Sequence, residues 1–233
     1  MSRHPFRNSV VWLTLLVVAA GSVFASEPEL VNIKAVAPSI HVELRYAGPR
    51  NIAGRPLYVS EMPALVRPEI AQQLAKAQEI LRARGYGLKI WDAYRPKGAH
   101  EQLWQYSPNT DYVASPAEGG SLHTWGVAVD ATLVDAKGRE VKMPTDFDDF
   151  TPAAMLRYAG PDATVRRNLR MLQSAMARAG FYGLRTEWWH FVSKSWQKYR
   201  AVTTSLEFAQ LPAPTPPSRA FNGAPGRGAA STR

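Results

Sequence analysis

Ser121-Leu-His123-Thr-Trp-Gly126-Val-Ala-Val-Asp130 and, well downstream, Glu187-Trp-Trp-His190 are the stretches on which the reading of this chain turns. From Gly126 to Val134 the residues alternate, with Val127, Val129, Ala131 and Leu133 on one face and Ala128, Asp130 and Thr132 on the other. That period of two predicts a half-buried β-strand. Asp130 then points away from the Val-rich face, beside small neighbours that leave room for an ion, and His123 sits on the turn that feeds the strand. Two imidazoles, one ligating carboxylate and one spare carboxylate outline a hydrolytic zinc site. Two His and one Asp leave a position open for water, and a nearby unligated Glu can take that water's proton.

Glu187 and His190 pose a geometric condition. They lie on a strand expected over about 184–192, and residues three apart face opposite sides of a regular strand. Both reach one metal only if the strand bends or bulges, as strands beside active sites do.

Working outward, residues 68–84 place Ile70, Leu74, Ala77 and Leu81 at helical spacing, and Gly85-Tyr-Gly87 stops that helix. Leu88-Lys-Ile-Trp-Asp-Ala-Tyr is β-prone and ends at Arg95-Pro96, since a residue before proline avoids the α region. A second helix, 162–179, carries Val165, Leu169, Leu172 and Met176 on its apolar stripe and closes at Gly180. No repeat is visible. These elements predict one α+β domain with a central, mainly antiparallel sheet flanked by helices and the zinc site at strand ends.

The chain ends read differently from its middle. Arg3 and Arg7, an apolar run from Val10 to Gly21 and then Val23-Phe24-Ala25 have the three regions of a secretory signal peptide, residues 1–25, cleaved after Ala25. The run is shorter than the ~20 residues of a bilayer span, so no stable membrane insertion is expected after cleavage. The expected location is outside the cytoplasm, in the periplasm or cell envelope. Residues 26–210 form the expected catalytic domain, long enough to need no staple. Residues 211–233 are rich in Pro, Gly and Ala and are expected to be disordered.

The absence of cysteine removes thiolate zinc ligands, thiol nucleophiles and disulfides. The formal charge of +9 drops to +4 once Arg3 and Arg7 leave with the leader and Arg219, Arg227 and Arg233 are set aside with the tail. No basic stripe with interleaved aromatics remains, so no nucleic-acid partner is expected. The oligomeric state is left open.

Ser-x-His-x-x-Gly-x-Ala-x-Asp followed by Glu-x-x-His is similar to the zinc D-alanyl-D-alanine dipeptidase family, within the wider group that includes D,D-carboxypeptidases. Tyr46-x-x-x-x-Asn51-x-x-Gly54-x-Pro56, Trp91-Asp-Ala-Tyr-Arg95-Pro-Lys97 and Met143-Pro-Thr-Asp-Phe-Asp148-Asp-Phe150 extend the resemblance from about Tyr46 to Phe191. It implies one Zn²⁺ held by His123, Asp130 and His190, with Glu187 as general base and then acid, in an enzyme of cell-wall peptidoglycan metabolism. It further implies that Arg95 stabilises the oxyanion, that Asp148 takes the free ammonium of a small D,D-dipeptide, and that Ser121 and Tyr46 complete the substrate pocket. Ile52, Leu122 and Thr124 depart from the family's pattern and touch the pocket's shape, none of them a ligand.

Competing readings remain. Glu187 could instead orient His190, Arg95 could pair with Asp92 on a surface turn, and His41 and His100 read as ordinary surface or core histidines. Trp188 and Trp189 are expected to alternate, one in the core and one on the site wall. At the level of function the alternatives are a D,D-carboxypeptidase acting on longer stems, an Fe(II) oxygenase with the same donor types, and a non-catalytic wall-binding module that keeps its zinc.

Overall fold

The computed structural model describes residues 29–59 and 61–202. The expected signal peptide and the expected tail lie outside the described residues. Among the described residues no helix is long and apolar enough to cross a membrane.

In chain order the main elements are β1 (Val31–Asn32), α1 (Ile33–Val36), β2 (His41–Val42), β3 (Leu65–Val66), α2 (Pro68–Arg82), β4 (Tyr86–Asp92), α3 (Lys97–Tyr106), β5 (Ala128–Asp135), α4 (Ala163–Ala179), β6 (Phe181–Leu184) and β7 (Glu187–Ser193). Both long helices follow from their sequence. α2 starts with proline at its first turn, where the missing N–H costs nothing, and buries Ile70, Leu74, Ala77 and Leu81. In α4 the Asp162 carboxylate accepts from the backbone N–H groups of Thr164 and Val165, while Gly180 closes the helix in the left-handed region. The two helices pack on each other and on the sheet.

The sheet has the order β2-β4-β5-β7-β6. β2 runs parallel to β4 and every other neighbouring pair is antiparallel, so the expected architecture holds. Two expectations need correction. The strand carrying Asp130 is buried on both faces rather than one, because it is the middle strand of five and its second face is roofed by the site. The strand expected over 184–192 is two strands, β6 and β7, joined by a tight turn at Arg185-Thr186.

Irregularities on two strands position the site. Ile90 faces Ala131 and Asp92 faces Asp130, so two residues of β4 advance against one of β5 and Trp91 is the extra residue. Asp130 in turn faces His190 on β7. Asp92, Asp130 and His190 therefore stand in one row across three strands. On β7, Gly183 of β6 faces Phe191 but the next residue, Leu184, faces Glu187, leaving 188–190 as extra residues. This is the bend that lets Glu187 and His190 serve one point.

An aromatic cluster supports that row from beneath. Trp91 meets Trp188 and Phe147, Trp188 meets Trp189, and Tyr46 meets Phe147 and Tyr58, with ring centroids 5.3–6.2 Å apart. Trp188 and Trp189 are both buried, so neither serves as a cleft wall. Edge-to-face packing of this kind fixes ring positions beyond what burial of area alone gives.

Candidate metal and catalytic site

His123 lies in a 3₁₀ turn, Leu122–Trp125, between two local devices. At its start the Ser121 hydroxyl accepts from the His123 N–H at 3.3 Å. At its end Gly126 takes φ +70, and a Cβ there would stand 2.5 Å from Leu30 Cδ2. The positive φ favours glycine, and a Cβ would also oblige the Leu30 side chain to shift. The turn thus presents His123 at the mouth of β5.

The His123 ring is oriented by its second nitrogen. His123 Nδ1 lies 2.8 Å from the Ala93 carbonyl, which can only accept, so Nδ1 carries the proton and Nε2 is a free lone pair. His123 Nε2 stands 3.1 Å from His190 Nδ1, and Asp130 Oδ1 stands 3.0 Å from His190 Nδ1 and 3.4 Å from His123 Nε2. Donor atoms about 2.1 Å from a tetrahedral zinc are roughly 3.4 Å apart. Two nitrogens and one oxygen converge with the spacing that such an ion demands.

Charge makes the same case. Asp92, Asp130, Asp148 and Glu187 are four buried carboxylates, gathered around one buried arginine, Arg95. Such an excess of buried negative charge is costly without a countercharge. Burial, reinforced by repulsion from Asp130 and Asp148, raises Glu187 well above the usual carboxylate range. Burial also pushes Asp148 up to about 7. Asp130 moves the other way: burial opposes ionisation, but the adjacent His123 and His190 imidazoles hold its pKa down. His123 is raised because Asp130 outweighs its burial, whereas burial lowers His190. A dication between them fits the donor set and the charge.

Glu187 stands beside this group without joining it. Its Oε2 is 3.9 Å from His190 Nδ1, and its buried Oε1 has no hydrogen-bond partner. An orphaned buried carboxylate oxygen in a native fold calls for a missing partner. Glu187 lines the same cleft as His123, Asp130 and His190, open to water and substrate.

Arg95 follows β4 and is held from several sides. Asp92 Oδ2 accepts from Nε at 2.9 Å and pairs with Nη2 at 2.7 Å, while Asp130 Oδ2 is 3.6 Å from Nη2. Tyr46 supports the guanidinium with its ring, 4.6 Å from Cζ. The Arg95–Asp92 pair considered for a surface turn exists, but in the interior, with Asp92 fully buried. Asp92 was not foreseen as a site residue. It also accepts from Tyr58 Oη at 2.7 Å and lies 3.3 Å from His123 Nδ1, so it locks an arginine, a tyrosine and a ligand together.

Asp148 takes φ 58, a left-handed conformation uncommon for any residue but glycine. Its Oδ1 accepts from Tyr46 Oη at 3.0 Å and its Oδ2 from the Ile52 N–H at 3.1 Å. Tyr46 lines the cleft and Asp148 stands behind it. His100, expected to be an ordinary histidine, is buried against Arg95 and lines the cleft. No acidic residue stands at motif spacing from it in the sequence, and that had hidden it. The cleft, about 290 Å³, is further walled by Tyr112, Val113, Ser121 and Tyr182.

The chain is similar to known proteins over most of its length. The family described as D-ala-D-ala dipeptidase (Peptidase_M15) matches residues 26–206. A D-alanyl-D-alanine dipeptidase of Escherichia coli is 35% identical over 163 residues, covering 70% of this chain and 83% of its relative. One from Enterococcus faecium is 34% identical over 173 residues, covering 64% and 84%. Among solved structures, a vancomycin resistance D,D-pentapeptidase VanY variant in complex with Zn(II) aligns at 17% identity and a TM-score of 0.39, over 59% of this chain and 77% of its own.

Proposed function

The chain belongs to the D-alanyl-D-alanine dipeptidase family of zinc metallopeptidases, and from that membership and the site we propose that it hydrolyses D-alanyl-D-alanine or close D,D-dipeptides. The observation that carries this reading is the convergence of His123 Nε2, Asp130 Oδ1 and His190 Nδ1 with an unpartnered Glu187 oxygen at their side. The small cleft suits a dipeptide, lying at the lower end of ligand-pocket volumes.

His123, Asp130 and His190 hold the metal in this reading. Zinc bound there supplies a Lewis acid that polarises the peptide carbonyl and acidifies water. Glu187 accepts the proton of the attacking water and returns it to the leaving amine. Arg95 offers its Nη1 edge to the oxygen that becomes negative as the carbonyl carbon turns tetrahedral, its orientation fixed in advance by Asp92 and Tyr46. Asp148, through or alongside Tyr46, receives the substrate's ammonium, and Ser121 meets its backbone beside the metal.

We place the enzyme outside the cytoplasm, acting on dipeptides released from the cell wall. The support is the signal-like pattern of residues 1–25. Mass spectrometry of native material tests it: a mature amino terminus at Ser26 is expected, and intact Met1 in a membrane fraction would overturn it. For the activity, metal-free protein with and without added zinc is assayed for free D-alanine from D-Ala-D-Ala. Zinc-dependent release is expected. Inactivity on the dipeptide with cleavage of an N-acylated pentapeptide would make the protein a D,D-carboxypeptidase instead.

A further inference from the structure

His100 sits in the first turns of α3, five residues after Arg95, with 1% of its surface exposed. Its Nε2 is 2.8 Å from the Ala114 carbonyl oxygen, an acceptor only, so Nε2 carries the proton. Nδ1 is then a lone pair, and it faces Arg95 Nη1 at 3.5 Å. Ala114 belongs to the segment between α3 and the His123 turn that walls the cleft together with Tyr112 and Val113. One imidazole therefore spans the gap between the cleft wall and the guanidinium.

The chemical type of this contact matters. Asp92 and Asp130 already face Arg95 with negative charge. A third carboxylate would draw the arginine's field further away from an oxyanion forming in the cleft. A neutral imidazole fixes the guanidinium plane without doing so, and burial together with the arginine's own charge keeps His100 neutral, lowering its pKa to about 4. Nη1 thus has His100 on one side, and Arg95 itself lines the cleft.

We propose that His100 is a positioning residue for Arg95, orienting the Nη1 edge toward the reacting carbonyl and coupling that orientation to the cleft wall through Ala114. The inference rests on the reading of Arg95 as the oxyanion donor.

Two substitutions separate this role from simple packing. In His100→Gln the amide can donate to Ala114 and accept from Arg95, whereas His100→Leu fills similar space and can do neither. For zinc-loaded protein with D-Ala-D-Ala, His100→Leu is expected to lower kcat at least ~10-fold, the scale of a lost hydrogen bond to a charged group, with KM changed much less. His100→Gln restores most of the rate. In an Arg95→Ala background, His100→Leu removes nothing further, as two residues acting through one interaction require. Zinc content and thermal midpoint are measured alongside. An independent readout is the Arg95 Nη1 proton resonance of ¹⁵N-arginine-labelled protein, kept in the Gln variant and displaced in the Leu variant, which reports the contact whatever the substrate. A Leu variant with wild-type kcat, a Gln variant as impaired as Leu, or an equal loss in the Arg95→Ala background would overturn the role of His100 alone. Arg95→Ala with wild-type kcat would instead remove the oxyanion reading, and this inference with it.

Discussion

Tyr46 Oη donates to Asp148 Oδ1 across 3.0 Å, joining an early turn of the chain to the loop after β5 and leaving the other carboxylate oxygen to the Ile52 N–H. This carboxylate is satisfied in hydrogen bonds yet poor in countercharge. In the proposed reading a substrate ammonium would supply the countercharge. N-acetyl-D-Ala-D-Ala lacks it, and losing a charge-assisted hydrogen bond of ~1.5–3 kcal/mol predicts at least ~10-fold poorer use of the acetylated substrate. Asp148→Asn should then depress kcat/KM for the free dipeptide far more than for the acetylated one. An unchanged ratio between the two substrates would mean that Asp148 does not read the amine.

The same residue predicts a pH dependence of stability. With the folded pKa raised to about 7 from an ordinary value near 3.8, the native state keeps a proton that the unfolded chain has lost. Stability therefore falls as pH rises from about 4 to about 7 and is level beyond, by an amount on the order of 4 kcal/mol. Asparagine removes this cost. It tolerates the left-handed backbone, can accept from Ile52 and can donate to Tyr46. Metal-free Asp148→Asn is expected to melt above metal-free wild type at pH 8, with the gap closing toward pH 4; calorimetry across that range decides it.

Glu187 and the ligands should fail in different ways. His123→Ala, Asp130→Ala and His190→Ala each remove a donor and should lower zinc content. Glu187→Ala removes proton transfer but no ligand, so near-full zinc with a rate loss of at least ~10²-fold is expected. Metal analysis beside steady-state kinetics distinguishes the two, and a Glu187 variant that keeps normal activity would remove it from the base role.

Gly126→Ala probes the turn rather than the chemistry. The added methyl meets Leu30 Cδ2 at 2.5 Å on a backbone at φ +70, which predicts a loss of more than ~1 kcal/mol of stability and a disturbed His123. Thermal unfolding and zinc affinity should decline together. A variant with wild-type values of both would mean that Leu30 and the turn yield easily.

The grouping of His123, Asp130 and His190 was legible because they occur together in two stretches that resemble a family motif, not from any one position alone. The helices were legible from the spacing of their apolar residues. What stayed hidden depends on contacts between distant segments. Asp92 and His100 become site residues only because β4 and α3 deliver them to Arg95 and His123, and no spacing announces that. The β6–β7 turn at Arg185-Thr186 lacks the Gly, Pro or Asn that usually marks a hairpin, so two strands read as one. The double burial of β5 was missed because Ala128, Asp130 and Thr132 look like a solvent face until the cleft is built over them.

The row formed by Asp92, Asp130 and His190 across three neighbouring strands has a consequence for how the enzyme matures. Backbone pairing in the middle of a sheet belongs to the parts of a protein that open last. The proposed ligands Asp130 and His190 are held by pairing in the middle of the sheet, so the ligand row is expected to come together when the sheet forms. Uptake of zinc by folded, metal-free protein is then the expected route to activity, and recovery of D-alanine release on adding zinc without a refolding step checks it.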